Sequence, residues 1–364
     1  MQGATRAAPA AAEADFDRSA ARERLWGAVG EGDEYAAAAV VFGALDAGVP
    51  AESVLLDLIA PVQHRVGAEW AANRLSVAAE HAASAISDRV IGALAHHPGA
   101  RARPRAGRVA VACVDGEWHA LPARLLAEVL RLRGWRVDFL GAQVPSPHLV
   151  AHLHRTAPDV VALSSSIATR LPTAHAAITA CQASGTPVLV GGAAFGGDGR
   201  YARALGADGW APDARAAADR LARGLTGPAA GERPRLQFDD LPHLADQEYT
   251  TVSRTARELV REVMAGLAER FPAMRSYTEA QLQYTAEDVA HVVEFLATAL
   301  YVDDADLFTG FVTWTADILA ARRVPPVSLA HALDILRVRL VDFPRATALL
   351  AAAQRALPDT GAGA

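Results

Sequence analysis

A glutamate and a histidine separated by one residue, Glu117 and His119, directly follow a continuous apolar run from Val109 to Val114. Such a run is typical of a parallel strand that is buried on both faces. Because ligands of parallel α/β sheets bind outside the carboxyl ends of the strands, His119 lies where this fold places its chemistry. Glu117 can accept a hydrogen bond from one imidazole nitrogen, which leaves the other nitrogen for a metal.

Alternating strand and helix patterns surround this motif over residues 104–226, and they predict a doubly wound parallel sheet. After the first strand we expect a helix, and the alternation then continues to a short final helix. The predicted segments are helix Leu121 to Arg133, strand Arg136 to Leu140, helix Ser146 to Thr156, strand Val160 to Leu163, helix Thr173 to Ser184, strand Val188 to Val190 and helix Asp213 to Leu225.

The flanking regions read as helical. Residues 1–20 are predicted to be a disordered tail, and residues 21–100 a four-helix bundle. Pro, Gly and Arg residues at 98–107 and the segment 227–235 predict linkers. Residues 236–364 are predicted to be all-helical, with about five helices. The expected breaks are at Pro272, near Thr285, at Asp303-Asp304 and at Pro325-Pro326.

The α/β segment resembles the cobalamin-binding domain of methionine synthase, corrinoid methyl carriers and light-sensing cobalamin repressors. The resemblance rests on the Glu117-Trp118-His119 motif, the Ser164-Ser165-Ser166 turn and the pair Gly191-Gly192. It implies that His119 is the lower axial ligand to cobalt and that the displaced nucleotide tail of the cofactor inserts beside the serines and glycines. The cofactor-binding candidates are Gly116, Glu117, Trp118, His119, Leu121, Ser164, Ser166, Gly191, Gly192 and Trp210.

One position departs from this motif, because the glycine of the family signature is Pro122 here. Proline is tolerated in the first turn of a helix, where its missing N–H would have had no partner. We therefore expect a perturbed loop with an intact site.

The helical bundle contains Trp70, nine intervening residues and then Glu80-His81. This spacing resembles the cap of the adenosylcobalamin photoreceptors related to light-dependent carotenoid repressors. The resemblance implies that Trp70 packs against the adenosyl group and that Glu80 hydrogen-bonds to it. It also implies that His81 binds cobalt after light has removed that group. The plainer interpretation is a core tryptophan beside a solvated helix face.

The order of helical bundle, cobalamin domain and C-terminal helical domain is similar to that of the photocobilins, which combine cobalamin with biliverdin. The resemblance implies a globin-like C-terminal domain that binds biliverdin. Both cysteines, Cys113 and Cys181, lie outside this segment, so the pigment would be held non-covalently. The bilin candidates are Tyr284, His291, Trp314, Arg322 and Arg323, although aromatic residues of this kind are common in cores.

Bulk properties narrow the choice of function. A net charge of -6 argues against a nucleic-acid partner, and the chain shows neither a membrane-spanning run nor a signal-peptide pattern. Two cysteines suit a reducing cytoplasm. We expect a non-enzymatic light sensor that self-associates as a dimer or tetramer in a light-dependent way and acts on a downstream protein.

Two other functions stay open at this stage. One is a corrinoid methyl carrier for a separate methyltransferase, which would bind methylcobalamin and ignore light. The other is a helical regulator that binds a protein or haem and has a cobalamin site made defective by Pro122. A zinc site is a poorer alternative, because no Cys/His cluster supplies further ligands.

Overall fold

Four helices form the N-terminal helical domain, as the periodicity predicts: α1 (Arg18–Gly30), α2 (Glu34–Asp46), α3 and α4 (Val77–Leu94). Helix α3 is continuous and contains α-helical parts Ala51–Ser53 and Ala60–Ala71 on either side of the π-helical segment Val54–Ile59. The computed structural model describes residues 16–225, 244, 246–322 and 324–357. Residues 1–15 of the predicted tail and the predicted linker at 227–235 therefore lie outside the described residues.

The prediction of a disordered tail is wrong for residues 18–20, which form the first turn of α1. Asp17 caps this helix, because its carboxylate accepts a hydrogen bond of 2.9 Å from the Ala20 amide. Such an N-cap satisfies one of the amides that the first turn of a helix leaves without a partner. The helix therefore begins earlier than its apolar periodicity does.

A five-stranded parallel sheet follows, with the strand order β2-β1-β3-β4-β5. Its strands are β1 (Arg108–Cys113), β2 (Arg136–Gly141), β3 (Val160–Ser164), β4 (Val188–Gly191) and β5 (Gly209–Ala211). The helices between them are α5 (Ala120–Leu132), α6 (Ser146–Thr156), α7 (Leu171–Ala183), α8 (Arg200–Ala204) and α9 (Ala214–Arg223). Helices α5 and α9 pack together, as do α6 and α7, so both faces of the sheet are covered.

The helical domain and the sheet share one hydrophobic core. Buried side chains of the helical domain, such as Leu25, Val41 and Ile91, belong to the same cluster as Val109 and Val111 of β1. Helix α5 lies between these layers and contributes residues such as Ala123, Val129 and Leu130. The N-terminal helices and the α/β fold are therefore built around a continuous apolar interior.

A cluster of ion pairs also joins the N-terminal helical domain to the α/β domain. Arg133, just after α5, contacts Glu52 of α3 at 2.6 Å and Asp219 of α9 at 3.3 Å. Arg215 of α9 contacts Glu52 and Asp57, both at 3.3 Å. Because these side chains are partly exposed, each pair stabilises the fold by no more than about 1 kcal/mol.

The C-terminal unit forms a separate compact body. Within its described residues it contains α10 (Glu248–Arg270), α11 (Glu279–Val302), α12 (Ala305–Ala321), α13 (Val327–Arg339) and α14 (Pro344–Ala356). The all-helical class is confirmed, whereas the finer globin-like assignment stays a prediction. Among the described helices, none combines the length and the apolar character needed to cross a lipid bilayer.

One predicted break in this unit is wrong. Thr285 lies inside α11, where its hydroxyl donates to the Gln281 carbonyl oxygen at 2.8 Å and so stays within the helical pattern. The true boundary is at Thr278, which forms a capping box with Gln281. A further boundary, before Pro344, went unpredicted.

A buried carboxylate ties the ends of the C-terminal unit together. Glu248, at the start of α10, accepts hydrogen bonds from the Arg345 and Ala346 amides at 3.1 and 2.8 Å. These amides belong to the first turn of α14, which otherwise leaves them without partners. Arg345 in turn contacts Asp246 at 2.6 Å and Asp303 at 3.0 Å.

Candidate functional site

The carboxyl ends of three neighbouring strands lie in register at one edge of the sheet. Cys113 of β1 pairs with Ser164 of β3, and Ser164 pairs with Gly191 of β4. In the sheet, β2 lies on one side of β1 and β3 lies on the other. The chain therefore reverses its direction across the sheet between β1 and β3. This switch point is where open α/β sheets bind ligands, and the loop bearing His119 begins there.

Glu117 is fully buried, and its carboxylate accepts five hydrogen bonds. Oε1 accepts from the His119 amide at 2.9 Å and from His119 Nδ1 at 2.6 Å. Oε2 accepts from the Ser165 hydroxyl at 3.1 Å and from the amides of Ser166 and Ile167 at 2.6 and 3.1 Å. Burial by itself raises the pKa of Glu117, but these hydrogen bonds outweigh it and lower the pKa to about 2. The Glu117 carboxylate is therefore an anion at neutral pH.

His119 is oriented by this anion. Because a carboxylate can only accept, Nδ1 carries the proton of the hydrogen bond, and Nε2 is the ring nitrogen left for an external ligand. The hydrogen bond to Glu117 raises the pKa of His119, burial opposes it, and the charge of Glu80 in the helical domain adds to the rise. The predicted pairing of Glu117 with His119 is confirmed.

The serine turn contributes differently from the prediction. Ser166 holds Glu117 through its backbone amide, and the hydroxyl that reaches Glu117 belongs to Ser165, which the sequence analysis had not selected. Ser165 is fully buried, and this burial is typical of a hydroxyl with a structural partner. Ser164, the last residue of β3, lines a neighbouring cavity.

This cavity is a narrow groove of about 90 Å³ between the sheet and helices α5 and α9. Ser164, Gly191 and Gly192 line it on the sheet side, as predicted, and Pro122 lines it from α5. Gly192 has φ +100°, and a Cβ there would lie 2.2 Å from the Ser165 carbonyl oxygen. Only glycine fits such a position, so the Gly-Gly pair keeps both the turn and the groove open.

Pro122 lies in the first turn of α5, where the prediction placed it. Its missing N–H removes no helical hydrogen bond there. Leu121 is half-buried against the shared core, Trp118 is exposed, and Gly116 has φ +77° with Arg170 packed against it. Trp210 does not line the groove, because alternation along β5 turns its ring to the opposite face, against Gly199.

A second Glu–His pair lies in the helical domain. His81 Nδ1 is 2.8 Å from Glu80 Oε2 and 3.0 Å from the Val77 carbonyl oxygen. Both partners accept, so Nδ1 carries the proton and Nε2 is again left over. Glu80 Oε1 accepts from the Ser84 hydroxyl at 2.8 Å. Trp70 is half-buried near the end of α3.

Among the described residues, no group of three or more His, Cys, Asp and Glu side chains is arranged to hold a metal ion.

Comparison with known proteins agrees with this geometry. Residues 107–219 match the model of the B12 binding domain, and residues 21–95 match a second model with the same description. The chain carries a B12 binding domain. The B12 domain spans β1 to α9, and the second match covers the N-terminal helical domain.

Two curated relatives are transcriptional repressors of Myxococcus xanthus. The HTH-type transcriptional repressor CarA is 35% identical over 182 residues, which cover 47% of this chain and 57% of CarA. The HTH-type transcriptional repressor CarH is 33% identical over 154 residues, which cover 41% of this chain and 50% of CarH. The chain thus spans little more than half the length of these relatives, to which it is distantly related.

A solved structure shows the same fold. The Methanosarcina barkeri monomethylamine corrinoid protein superposes with a TM-score of 0.50 at 18% identity, over 56% of this chain and 97% of that protein. At this identity the likeness concerns the fold alone.

The residues of the B12 domain fit a corrinoid. His119 offers one nitrogen donor, Nε2, and the groove beside Gly191 and Gly192 is lined largely by apolar and small side chains, which suit a flat aromatic base. The side chains of Leu126, Val190 and Ala217 contribute to this lining. The coarse prediction of a cobalamin-binding protein is thus confirmed, whereas the adenosyl form and each residue's role stay predictions.

The described bilin candidates of the C-terminal unit lie on α11, within α12 and directly after α12. Tyr284 and His291 of α11 are exposed, as is Trp314 of α12. Phe311 stacks on Phe295 with ring centroids 3.7 Å apart, and Trp314 lies 6.2 Å from Phe311. We refer to these side chains, from Tyr284 to Arg322, as the row. Arg323 lies outside the described residues.

Asp288 belongs to the same row, although the sequence analysis did not select it. The residue as a whole is exposed, but partial burial of its carboxyl raises the pKa of Asp288 against the opposing charges of His291 and Arg322. The signal that could have found it is spacing. Tyr284, Asp288 and His291 recur every three or four residues, which places them on one helix face.

Proposed function

We propose that this chain is a cytoplasmic, light-responsive sensor that binds adenosylcobalamin between its helical domain and its B12 domain and catalyses no turnover. The observation that carries the proposal is the presence of two Glu–His pairs, Glu117–His119 and Glu80–His81, each with Nδ1 engaged and Nε2 left over. A methyl carrier needs one such pair below the corrin. A switch that exchanges its upper ligand needs a second.

In the dark state, the lower pair acts as the fixed ligand. Glu117 holds the proton on Nδ1 of His119, so the lone pair of Nε2 is directed to cobalt and its basicity is raised. The groove beside Gly191 and Gly192 receives the nucleotide tail that His119 displaces. Trp70 and Glu80 cover the upper face, where Trp70 packs on the adenosyl group and Glu80 accepts a hydrogen bond from it.

In the illuminated state, His81 becomes the upper ligand. Adenosylcobalamin supplies a weak cobalt–carbon bond that breaks on absorption of visible light and vacates the upper axial position. His81 is largely exposed, so its ring can turn without a loss of packing. Its protonated Nδ1 keeps the Nε2 lone pair available. His119 and His81 would then both hold the cobalt and so join the B12 domain to the helical domain, which would make a bistable element biased by ligand loss.

Illumination of the loaded protein tests this proposal. Protein saturated with adenosylcobalamin in the dark should change its visible spectrum irreversibly under green light. An unchanged spectrum would remove the sensor proposal. Loading with methylcobalamin together with indifference to light would favour a carrier. Titration of the apoprotein without a saturable spectral change would indicate a defective B12 site.

We further propose that the C-terminal unit binds biliverdin non-covalently along the row from Tyr284 to Arg322. The pyrrole nitrogens of a bilin need an acceptor, for which Asp288 and His291 are suited, and its propionates need a cation such as Arg322 or Arg323. The stacked rings of Phe295 and Phe311, with Trp314 tilted against Phe311, offer apolar aromatic surface to the tetrapyrrole.

Biliverdin titration tests this second proposal separately. Addition of biliverdin to the purified full chain should produce a saturable far-red band, and Asp288→Asn should shift or weaken that band. Glu287→Gln, at the exposed neighbouring position, serves as the matched control. A spectrum equal to that of free biliverdin would contradict the proposal, whatever the cobalamin result.

The signal itself is proposed to be a change of assembly between dimer and tetramer that a downstream protein reads. Light scattering of the loaded protein before and after illumination measures this directly. An identical mass in both states would exclude assembly as the output.

A further inference from the structure

Gln63 and Ser84 extend the upper Glu–His pair into a hydrogen-bonded chain. The Gln63 side-chain nitrogen lies 2.5 Å from the Ser84 hydroxyl oxygen, and Ser84 lies 2.8 Å from Glu80 Oε1. A serine hydroxyl has one hydrogen to donate. Because the Glu80 carboxylate can only accept, that hydrogen goes to Glu80, and Ser84 must accept from Gln63. This order fixes Nε2 of Gln63 as the donor towards Ser84.

The carbonyl oxygen of the Gln63 amide then has no role in this chain of hydrogen bonds. Oε1 of Gln63 is buried and has no hydrogen-bond partner among the described residues. A buried acceptor without a donor is costly, and such groups in native proteins commonly meet a ligand or an ordered water. The Gln63 side chain is therefore incomplete unless a donor reaches it.

The position of Gln63 indicates where that donor comes from. Gln63 lies seven residues before Trp70 on α3, and Ser84 lies four residues after Glu80 on α4. Both spacings place the two members of each pair on one helix face. Under the proposed function Glu80 contacts the adenosyl group, and the Ser84 hydroxyl joins Gln63 to the same carboxylate.

We infer that Gln63 selects the upper-face ligand of the corrinoid, with its Oε1 accepting a hydrogen bond from an N–H or O–H donor of a nucleoside group. The inference rests on the proposed function. An adenosyl group carries an exocyclic amine and ribose hydroxyls, whereas a methyl group carries no donor. Gln63 therefore stabilises the adenosyl form selectively, and its Nε2 keeps the amide oriented through Ser84.

The test compares two cofactors in the dark. Gln63→Leu should weaken adenosylcobalamin binding about 10-fold, the scale of one buried hydrogen bond, and change methylcobalamin binding less than twofold. Dissociation constants from absorbance titrations give the ratio. His64→Ala, at the exposed neighbouring position of α3, is the matched control and should leave both constants unchanged.

Three outcomes would overturn the inference. An equal loss for both cofactors indicates that Gln63 only supports the fold, and no loss for either removes its role. A larger loss for methylcobalamin than for adenosylcobalamin contradicts the assignment, because a methyl group offers Gln63 no donor. The proposed function fails separately: wild-type protein that binds adenosylcobalamin without a photochemical change contradicts the sensor, while the affinity ratio still tests Gln63.

Discussion

The two Glu–His pairs of the N-terminal unit have the same chemistry and opposite surroundings. In the B12 domain, Glu117 is fully buried and saturated with hydrogen bonds, and the His119 side chain is 55% exposed. In the helical domain, the Glu80 side chain is 27% exposed, and His81 is 75% exposed. The lower imidazole is fixed by a buried carboxylate, whereas the upper imidazole is held loosely at a surface.

The two histidines show how one type of side chain can have a permanent role at one position and a conditional role at another. A fully satisfied buried carboxylate keeps one tautomer and one orientation of its histidine at little entropic cost on ligand binding. An exposed pair loses rotamer freedom only when it binds. The lower pair is therefore suited to constant ligation, and the upper pair to ligation that depends on a vacancy.

Removal of the lower imidazole should have the largest effect. His119→Ala should weaken adenosylcobalamin binding by about 100-fold or more, because the loss of a ligand exceeds the usual effect of losing its supporting partner. Absorbance titration in the dark measures it. His81→Ala is the paired control and should bind normally. Comparable losses in both variants would contradict the division of roles.

The second largest effect is expected from neutralisation of the buried Glu117 carboxylate. Glu117→Gln should lower the free energy of unfolding by about 2–4 kcal/mol, since the amide cannot accept all the hydrogen bonds that Glu117 accepts. Urea denaturation of the apoprotein measures this change. Glu80→Gln should cost less than about 1 kcal/mol, because its hydrogen bond to His81 is partly exposed.

The same variant has a predicted pH dependence. Since the pKa of Glu117 is lowered from 4.5 to about 2, its contribution is complete above pH 4.5 and is lost as the pH falls towards 2. Glu117→Gln should remove this part of the acid limb. If wild type and variant lose stability in parallel between pH 4.5 and 2, Glu117 is not the group that titrates.

Replacement of the upper imidazole should act only after illumination. His81→Ala should leave dark binding of adenosylcobalamin within twofold of wild type and should alter the spectrum of the illuminated state, because a vacated upper position would take water. Difference spectra recorded in the dark and under green light measure both. An illuminated spectrum equal to that of wild type would show that His81 is not the incoming ligand.

The smallest effect is expected at the position that departs from the family motif. Pro122→Gly should change cobalamin affinity by no more than about threefold and lower stability by up to about 1 kcal/mol, because glycine adds freedom to the unfolded chain. Calorimetry and dark titration measure the two quantities. A large gain in affinity would indicate that Pro122 impairs the groove it lines.

Most of the fold was predictable because its signals are local. Apolar runs of three to six residues predicted β1, β3 and β4, and the alternation of strand and helix patterns predicted the parallel sheet, with β2 at Arg136 to Leu140. Strand β5 was missed because three residues, Gly209–Ala211, carry no periodicity. Helix α8 is equally short and follows Gly199 in the left-handed region. The break near Thr285 failed because a polar stretch is also compatible with an exposed helix.

The site was predictable in its motif and less so in its supporting contacts. Glu117 and His119 are two residues apart, so their hydrogen bond is a local contact that the sequence can predict. Ser165 lies 48 residues from Glu117, and only the register of β1 with β3 brings them together. Which serine faces the carboxylate depends on where β3 ends, and the end of a strand is poorly defined by sequence. Gln63 gave no signal at all.

The shared core constrains how the helical domain can respond. Because Leu25, Val41 and Ile91 are sealed into the same apolar interior as the first strand, the N-terminal helices cannot swing away like a hinged cover. Separating the helical domain from the sheet would expose hydrophobic surface, and the free-energy cost would be comparable with the stability of a whole domain. We therefore expect any conformational change between these layers to be a small slide or rotation of packed helices, and we expect residues 18–223 to unfold in one cooperative step.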